Sequence, residues 1–387
     1  MRNCETIVVL PFSAAVAHVA RLMEVSKGLR DLGHQVVFGG GGPALALAHQ
    51  IGFAVRPLPE LDVAWALAHI WQGPRAIYTA ELVASFVQAE LALLAELQPA
   101  LVVVDSRLSG GVSATVAGLP WVSLLNAYAT PYAINGLLAY TFPGPPPLLG
   151  PGAEEGFNRV RGQHGLPALA NPLDLLAGDL NLMCDAPEYA PVHDAPAHYR
   201  YVGPIVWNGT PEPPPWLSRL DPGRPTIYFT MGSTGPIEAF QAALDAFAGT
   251  NYQVLMTTGG VTQPEALGPT PANFYVAGFA SGDELMRWAD VVICHAGNGT
   301  TYQALRAGLP VIAWPFVQDQ RWNAHRQVEL GIGLTLAALT PAAMRAAVED
   351  VQSNPSYRAN ARRFQQILTG YDGPHTAAQL VHEFIES

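Results

Sequence analysis

The 387-residue chain, 41.2 kDa, is long for one hydrophobic core and comfortable for two domains of similar size. Hydrophobic residues make up 49% and charged residues 13%, so the chain is globular with a charge-poor surface. A net charge of -11 without any lysine or arginine run excludes a nucleic acid backbone as partner, and the three scattered cysteines, Cys4, Cys184 and Cys294, exclude a disulfide framework and lack metal-site spacing.

The N-terminus runs into a strand without a signal-peptide pattern, and no apolar stretch reaches transmembrane length, so a soluble cytoplasmic protein is expected. A peripheral membrane contact stays open, and the oligomeric state is not set by the sequence.

Residues 6–10 (TIVVL) are β-branched and apolar and predict a buried parallel strand, followed by a loop, an amphipathic helix over 18–32 closed by Gly33, and a second strand over 35–38. This βαβ opening places His18 at the mouth of the first strand. A lone histidine at a helix start is more often a cap or a surface residue than a base. Residues 43–50 predict a second helix and 54–57 a third strand. The stretch 61–78 has no clean period, and its aromatics Trp65, Trp71 and Tyr78 are either core or the lining of an apolar pocket.

Residues 81–97 form a strong helical pattern and 101–105 (LVVVD) a buried strand ending in Asp105. That carboxylate is either the cap of a helix beginning near Ser109 or a crevice residue beside His18. After a strand over 121–125, residues 126–151 carry too much proline and glycine for regular structure and have the character of a site-lining loop. A helix over 154–164, a strand over 180–184 and Tyr201-Val-Gly203 complete a first domain. Residues 204–225, with EPPP and DPGRP, predict an interdomain linker.

A second βα series begins at 226–230 (TIYFT), followed by the turn Met231-Gly232-Ser233-Thr234-Gly235, strands over 252–257 and 273–276, and Gly278-Phe279-Ala280. Residues 290–333 are the centre of the reading. Strand 291–294 runs into the turn His295-Ala-Gly-Asn-Gly-Thr300, which opens a helix ended by Gly308 and Pro310; a strand over 311–314 follows, then Asp319, Gln320 and Asn323. A glycine turn between strand and helix gathers bare N–H groups at the positive end of the helix dipole, which favours a phosphate; tight packing is the competing role for the same glycines. Loops at the carboxyl ends of neighbouring parallel strands share a crevice. Here it would bring a histidine, a hydroxyl, a carboxylate and amides together, a set suited to a diphosphate and sugar hydroxyls. Three helices, over 341–352, 355–368 and 375–385, end the chain.

The succession H-A-G-x-G-T, G-L-P, P, D-Q, N-A and G-x-G across 295–333 resembles the donor-binding signature of the family-one nucleotide-sugar glycosyltransferases, which include bacterial macrolide and natural-product enzymes and plant UDP-glucosyltransferases. The resemblance implies an α/β GT-B fold: two Rossmann-like doubly wound parallel-sheet domains facing across a cleft. Residues 1–203 would bind acceptor, 204–225 would link, 226–372 would bind donor, and a last helix within 373–387 would pack back on the first domain.

By the same resemblance A-H-V at His18 and G-H-Q-V at His34 match the family's histidine pair, with His18 the general base and His34 structural. A neutral imidazole is suited to take a hydroxyl proton near pH 7. Asp105, in P-x-x-V-V-x-D, is implied to orient His18. The implied donor contacts are Ser233 in a loop like the family's F-G-S, Phe279 stacked on the nucleobase, His295, Gly297, Asn298, Gly299 and Thr300 at the diphosphate, Gln303 at the ribose, and Asp319 and Gln320 at the sugar. No metal or other cofactor is expected, because helix terminus and donors offset the leaving charge. Trp65, Trp71, Asn126, Tyr128, Tyr132 and Phe142 are the candidate contacts to a largely apolar, hydroxyl-bearing small-molecule or lipid acceptor.

The chain departs from the family pattern at three places. Ala17 replaces a glycine, Ala20-Arg21 replaces a proline region, and Gln303 replaces a glutamate that accepts from both ribose hydroxyls. The last change removes a charge-assisted contact and leaves dTDP and GDP open beside UDP. The expected activity is inverting, metal-independent sugar transfer from a UDP- or dTDP-sugar. A sugar-nucleotide epimerase of the same fold and a non-catalytic sugar-nucleotide-binding partner subunit are the alternatives.

Overall fold

The computed structural model describes residues 4–139, 146–209, 212–233 and 235–387. The chain divides into two compact units, residues 1–205 with 371–387, and residues 206–370. In the first, strands β1 (Thr6–Pro11), β2 (Gln35–Gly40), β3 (Ala54–Pro57), β4 (Leu101–Asp105), β5 (Trp121–Leu125), β6 (Leu180–Met183) and β7 (Tyr199–Tyr201) form an all-parallel sheet ordered β3-β2-β1-β4-β5-β6-β7. Ile7 and Val9 point into a layer with Leu22 and Leu29 of the helix Val16–Asp31, while Val8 and Leu10 face Leu93 and Leu94 of the helix Ala80–Leu97. A sheet covered on both faces needs this run of apolar residues rather than alternation. The last helix, Gly373–Glu386, belongs to this unit: Ala377, Ala378 and Val381 join the core around Leu22, and a Cβ at Gly28 would stand 2.7 Å from that of Ala378.

The second unit repeats the plan with β8 (Thr226–Thr230), β9 (Gln253–Thr257), β10 (Phe274–Ala277), β11 (Val291–Cys294), β12 (Val311–Ala313) and β13 (Gly333–Thr335), all parallel in the order β10-β9-β8-β11-β12-β13. Phe229, Met256 and Ile293 pack with Phe240, Phe247 and Met344 on one face; Tyr228, Leu255 and Val292 pack with Leu285, Met286 and Ala304 on the other. In both sheets the chain winds outward on one side and then returns to the other side of its first strand. The switch points therefore fall between β1 and β4 and between β8 and β11, where open parallel sheets form their crevices.

Two expectations are corrected here. Residues 206–225 are not a linker but part of the second unit: Trp216 and Leu220 are buried in its core, and the Trp216 indole donates to the Val276 carbonyl at 3.0 Å. The prolines stop regular structure without preventing the intervening aromatics from being buried. Residues 61–78 are largely helical, with Val63–His69, a 3-10 turn Ile70–Gln72 and Pro74–Ile77. The period is unreadable because each piece is short and its buried residues, Ala66, Ile70, Pro74 and Ile77, fall on three separate turns of backbone.

Candidate functional site

The first switch point is built on the pairing of β1 with β4, which runs as far as Pro11 opposite Asp105. Phe12 N–H then donates to the Asp105 carbonyl at 2.8 Å, so the loop leaving β1 turns over the end of β4. The helix Val16–Asp31 begins there and carries His18 and Arg21, one turn apart and therefore on one face. Both reach Asp105, which is fully buried. His18 Nδ1 lies 2.7 Å from Asp105 Oδ1, and the Phe12 ring meets the imidazole edge-on at 5.8 Å. Because a carboxylate only accepts, the His18 proton sits on Nδ1 and Nε2 carries the lone pair.

Arg21 grips the same carboxylate with two bonds, Nε to Oδ2 at 2.8 Å and Nη2 to Oδ1 at 2.6 Å. Burial works against an ionised Asp105, but the Arg21 guanidinium and, after it, His18 hold the carboxyl below its ordinary range. Arg21 Nη1 continues to Asn126 Oδ1 at 2.9 Å, and Asn126 Nδ2 to Asp185 Oδ2 at 3.1 Å, an oxygen that also accepts from Ala127 N–H at 2.7 Å. A second ionic knot, with Glu60 accepting from Ser13 and from Arg107, and Arg107 also donating to Glu90, ties the same loop to the end of β3.

Of the acceptor-side candidates, half-buried Asn126 uses both ends of its amide inside the protein and so braces the site. Tyr132 packs on Tyr199 of the edge strand β7 at 5.0 Å, on the far side of the sheet from β1, and Tyr128 is buried. Trp65 and Trp71 are 41% and 71% exposed, Trp65 stacking on His69; they lie outside the cluster in which Ala66, Ile70 and Phe12 meet. Phe142 lies outside the described residues.

The second switch point is built on β8 and β11, paired to Cys294 opposite Thr230. After β11, Ala296 takes a left-handed φ of 62° and Gly297 caps the helix Asn298–Arg306 from an extended conformation. The strained residue of the turn is thus an alanine. Gly297 is required for a different reason: a Cβ there would stand 2.4 Å from His295 Nε2, and one at Gly232, φ 59°, would stand 2.5 Å from His295 Cε1. The imidazole is held between two bare backbones, with the Phe316 ring stacked at 6.1 Å. Its Nδ1 is buried with no hydrogen-bond partner among the described residues, and burial pulls its pKa down to about 4. His295 is therefore neutral at pH 7.

A Cβ at Gly299 would meet nothing within 4 Å, so the first turn of the helix is open at that position, beside half-buried Asn298 and Thr300. Ser233, after β8, is half-buried as well. After β12, Asp319 is half-buried in the first turn of the helix Gln318–Glu329, and Trp314 N–H donates to Cys294 O at 2.8 Å, which holds this loop against the glycine turn. Gln320 is narrowed relative to expectation: it is buried, and its Oε1 accepts from the N–H groups of Phe316 and Val317 at 3.1 and 3.3 Å, so only its NH2 remains to meet a ligand.

Phe279 is 39% exposed and meets Trp207 edge-on at 6.3 Å. Gln303 donates from Nε2 to the Trp207 carbonyl at 2.8 Å, and Gly282 N–H donates to Asn208 O at 2.9 Å, so the helix after the glycine turn fixes an aromatic pair at the end of β10. Sequence reasoning missed Arg21, Trp207, Gly232 and Phe316. Trp207 was hidden in the supposed linker, while Arg21 was visible only as a departure from the family pattern. Among the described residues no group of three or more His, Cys, Asp and Glu side chains is placed to hold a metal ion, and no helix is long and apolar enough to cross a membrane.

Two doubly wound units, each with functional side chains at its switch point, define a protein of the GT-B class. Residues 241–383 match the family described as Erythromycin biosynthesis protein CIII-like, C-terminal domain. Over 376 residues the chain is 32% identical to the PGL/p-HBAD biosynthesis glycosyltransferase of Mycobacterium tuberculosis (strain ATCC 25177 / H37Ra), covering 92% of this chain and 86% of the relative. It is 31% identical over 370 residues to the PGL/p-HBAD biosynthesis rhamnosyltransferase of Mycobacterium bovis (strain BCG / Pasteur 1173P2), covering 91% and 81%. Spinosyn rhamnosyltransferase SpnG has a similar fold, with a TM-score of 0.76 at 21% identity over 98% of this chain and 99% of that one; a second structure of SpnG is complexed with thymidine diphosphate, with a TM-score of 0.74. The chain belongs to the family-one GT-B glycosyltransferases and is a glycosyltransferase.

Proposed function

We propose that this glycosyltransferase moves a sugar from a dTDP-linked hexose or deoxyhexose, such as rhamnose, to a hydroxyl of a largely apolar acceptor, with inversion and without a metal ion. The observation that carries the reading is the buried Asp105 carboxylate holding His18 by Nδ1 at 2.7 Å, which reserves Nε2 for an incoming proton. The acceptor oxygen forms a bond to the anomeric carbon as its proton passes to Nε2, and the bond from that carbon to the β-phosphate oxygen breaks. A single displacement of this kind inverts the configuration. The leaving diphosphate gains charge, which the N-terminus of the helix Asn298–Arg306, the Thr300 and Ser233 hydroxyls and neutral His295 would offset by donating hydrogen bonds to its oxygens. Asp319 and the Gln320 NH2 would hold sugar hydroxyls.

The preference for dTDP is supported by Gln303. Its amide nitrogen is engaged by the Trp207 carbonyl, so the position offers no charged acceptor to a ribose diol, and a deoxyribose loses least by that. The rhamnosyltransferase name of a relative and the thymidine diphosphate bound to SpnG point the same way. The test is product analysis by mass spectrometry after incubation with dTDP-, UDP- and GDP-hexoses and a panel of phenolic and aliphatic alcohols, with His18→Ala in parallel. The proposal expects glycoside from dTDP-sugar first and a loss of about a thousand-fold in His18→Ala. Wild-type transfer by that variant would remove the base assignment, and an epimerised nucleotide without glycoside would replace the reading by an epimerase.

A further inference from the structure

Asp105 accepts from two side chains at once. Its Oδ1 receives both His18 Nδ1, at 2.7 Å, and Arg21 Nη2, at 2.6 Å, while Oδ2 receives Arg21 Nε at 2.8 Å. An Asp-His pair by itself would require only the first of these. The guanidinium fork fixes the plane of the carboxylate, so the lone pair offered to His18 has one direction, and Arg21 is itself fixed by Asn126, which Asp185 holds in turn. The same contact divides the negative charge of Asp105 between His18 and Arg21. We infer that Arg21 is a positioning residue: it aims Asp105 at His18 and limits how tightly the pair holds a proton, so that the imidazole can release what it takes from the acceptor.

The other titratable or charged groups facing the pair come from the segments after β5 and β6. They are Tyr128, buried beside Arg21, the Cys184 thiol, which burial pushes up to about 12 and keeps neutral, and Asp185, whose Oδ2 is taken by Asn126 and Ala127. None replaces the guanidinium. Without Arg21 the proton shared by Asp105 and His18 is held more firmly on whichever of the two sites carries it.

The inference rests on His18 being the base, and the experiment separates the two. The His18 imidazole is titrated by NMR in wild-type, Arg21→Met and Arg21→Lys protein, and the pH dependence of kcat/KM is measured on the same samples. In Arg21→Met the titration midpoint rises by about one pH unit or more, the acid limb of kcat/KM moves up with it, and the rate at pH 7 falls about ten-fold while donor KM is unchanged. Arg21→Lys lies between, since an ammonium makes one contact where the fork makes two, and it carries the test if the methionine variant does not fold. Midpoints within about 0.2 of wild type in the folded variants overturn the inference, whatever the rate does. A midpoint that moves while the acid limb stays supports the coupling and removes His18 as base.

Discussion

Between β1 and β4 the strand ends hold a fully buried carboxylate, a guanidinium gripping it with two bonds, and an imidazole that shares Oδ1 with the guanidinium. Between β8 and β11 the equivalent ends hold a neutral imidazole pressed between two glycines, the N-terminus of a helix and two half-buried hydroxyls. The two switch points share a topology, down to a non-glycine residue at positive φ after the inner strand, Ser106 in one and Ala296 in the other. Their chemistry differs, and the proposed function gives each a separate task. Proton transfer needs a carboxylate kept ionised and an imidazole kept in one tautomer, which takes fixed charge. Binding a diphosphate needs donors without a counter-ion already seated, which takes backbone and neutral side chains.

The largest expected effect comes from confusing the tautomer at the first switch point. In Asp105→Asn the amide can accept from Arg21 and donate to His18 Nδ1, which moves the imidazole proton to Nε2 and removes the base. kcat falls about a thousand-fold or more while donor KM stays near wild type. A kcat within ten-fold of wild type in folded protein would break the contrast between the two crevices.

Next comes crowding at the second switch point. The methyl of Gly297→Ala would enter the space of the His295 imidazole, 2.4 Å from Nε2, and the ring or the turn must shift. Donor KM rises about ten-fold, with a smaller fall in kcat. An unchanged KM would mean that the imidazole can leave without consequence for donor binding.

The smallest effect is on stability and follows from the same buried imidazole. Its pKa is lowered to about 4 by burial, so below the ordinary histidine value the unfolded chain binds a proton that the folded chain refuses. Stability on this account is complete above pH 6.5 and declines as pH falls toward 4, by at most about 3 kcal/mol. Urea titrations of wild type and His295→Gln across pH 7 to 4 check the sign: the wild type loses more stability over this window than the variant.

The strands are readable because an all-parallel sheet demands runs such as TIVVL and LVVVD, and the ends of those runs single out His18 and Asp105. The glycine turn was equally legible as a strand-to-helix junction, yet the role of each glycine was not. Gly297 yields to a ring two residues back, whereas the left-handed residue is Ala296. Arg21 could be placed on the face of His18 by helical spacing, but its partner lies 84 residues away in sequence, and only the β1–β4 register brings them together. Trp207 and the buried Trp216 were obscured by the prolines around them, because composition reports where regular structure stops and not where burial does. The surroundings of Asn126, Trp65 and Tyr132 were not legible for one reason: a polar or aromatic residue in a stretch without a clean period has nothing to say which way it faces.

The division of labour is tested most directly by calorimetric titration of dTDP into His18→Ala and His295→Ala. The account predicts that His18→Ala binds within about two-fold of wild type although it does not transfer, and that His295→Ala binds about ten-fold more weakly. Weakened binding in His18→Ala with wild-type binding in His295→Ala would contradict it.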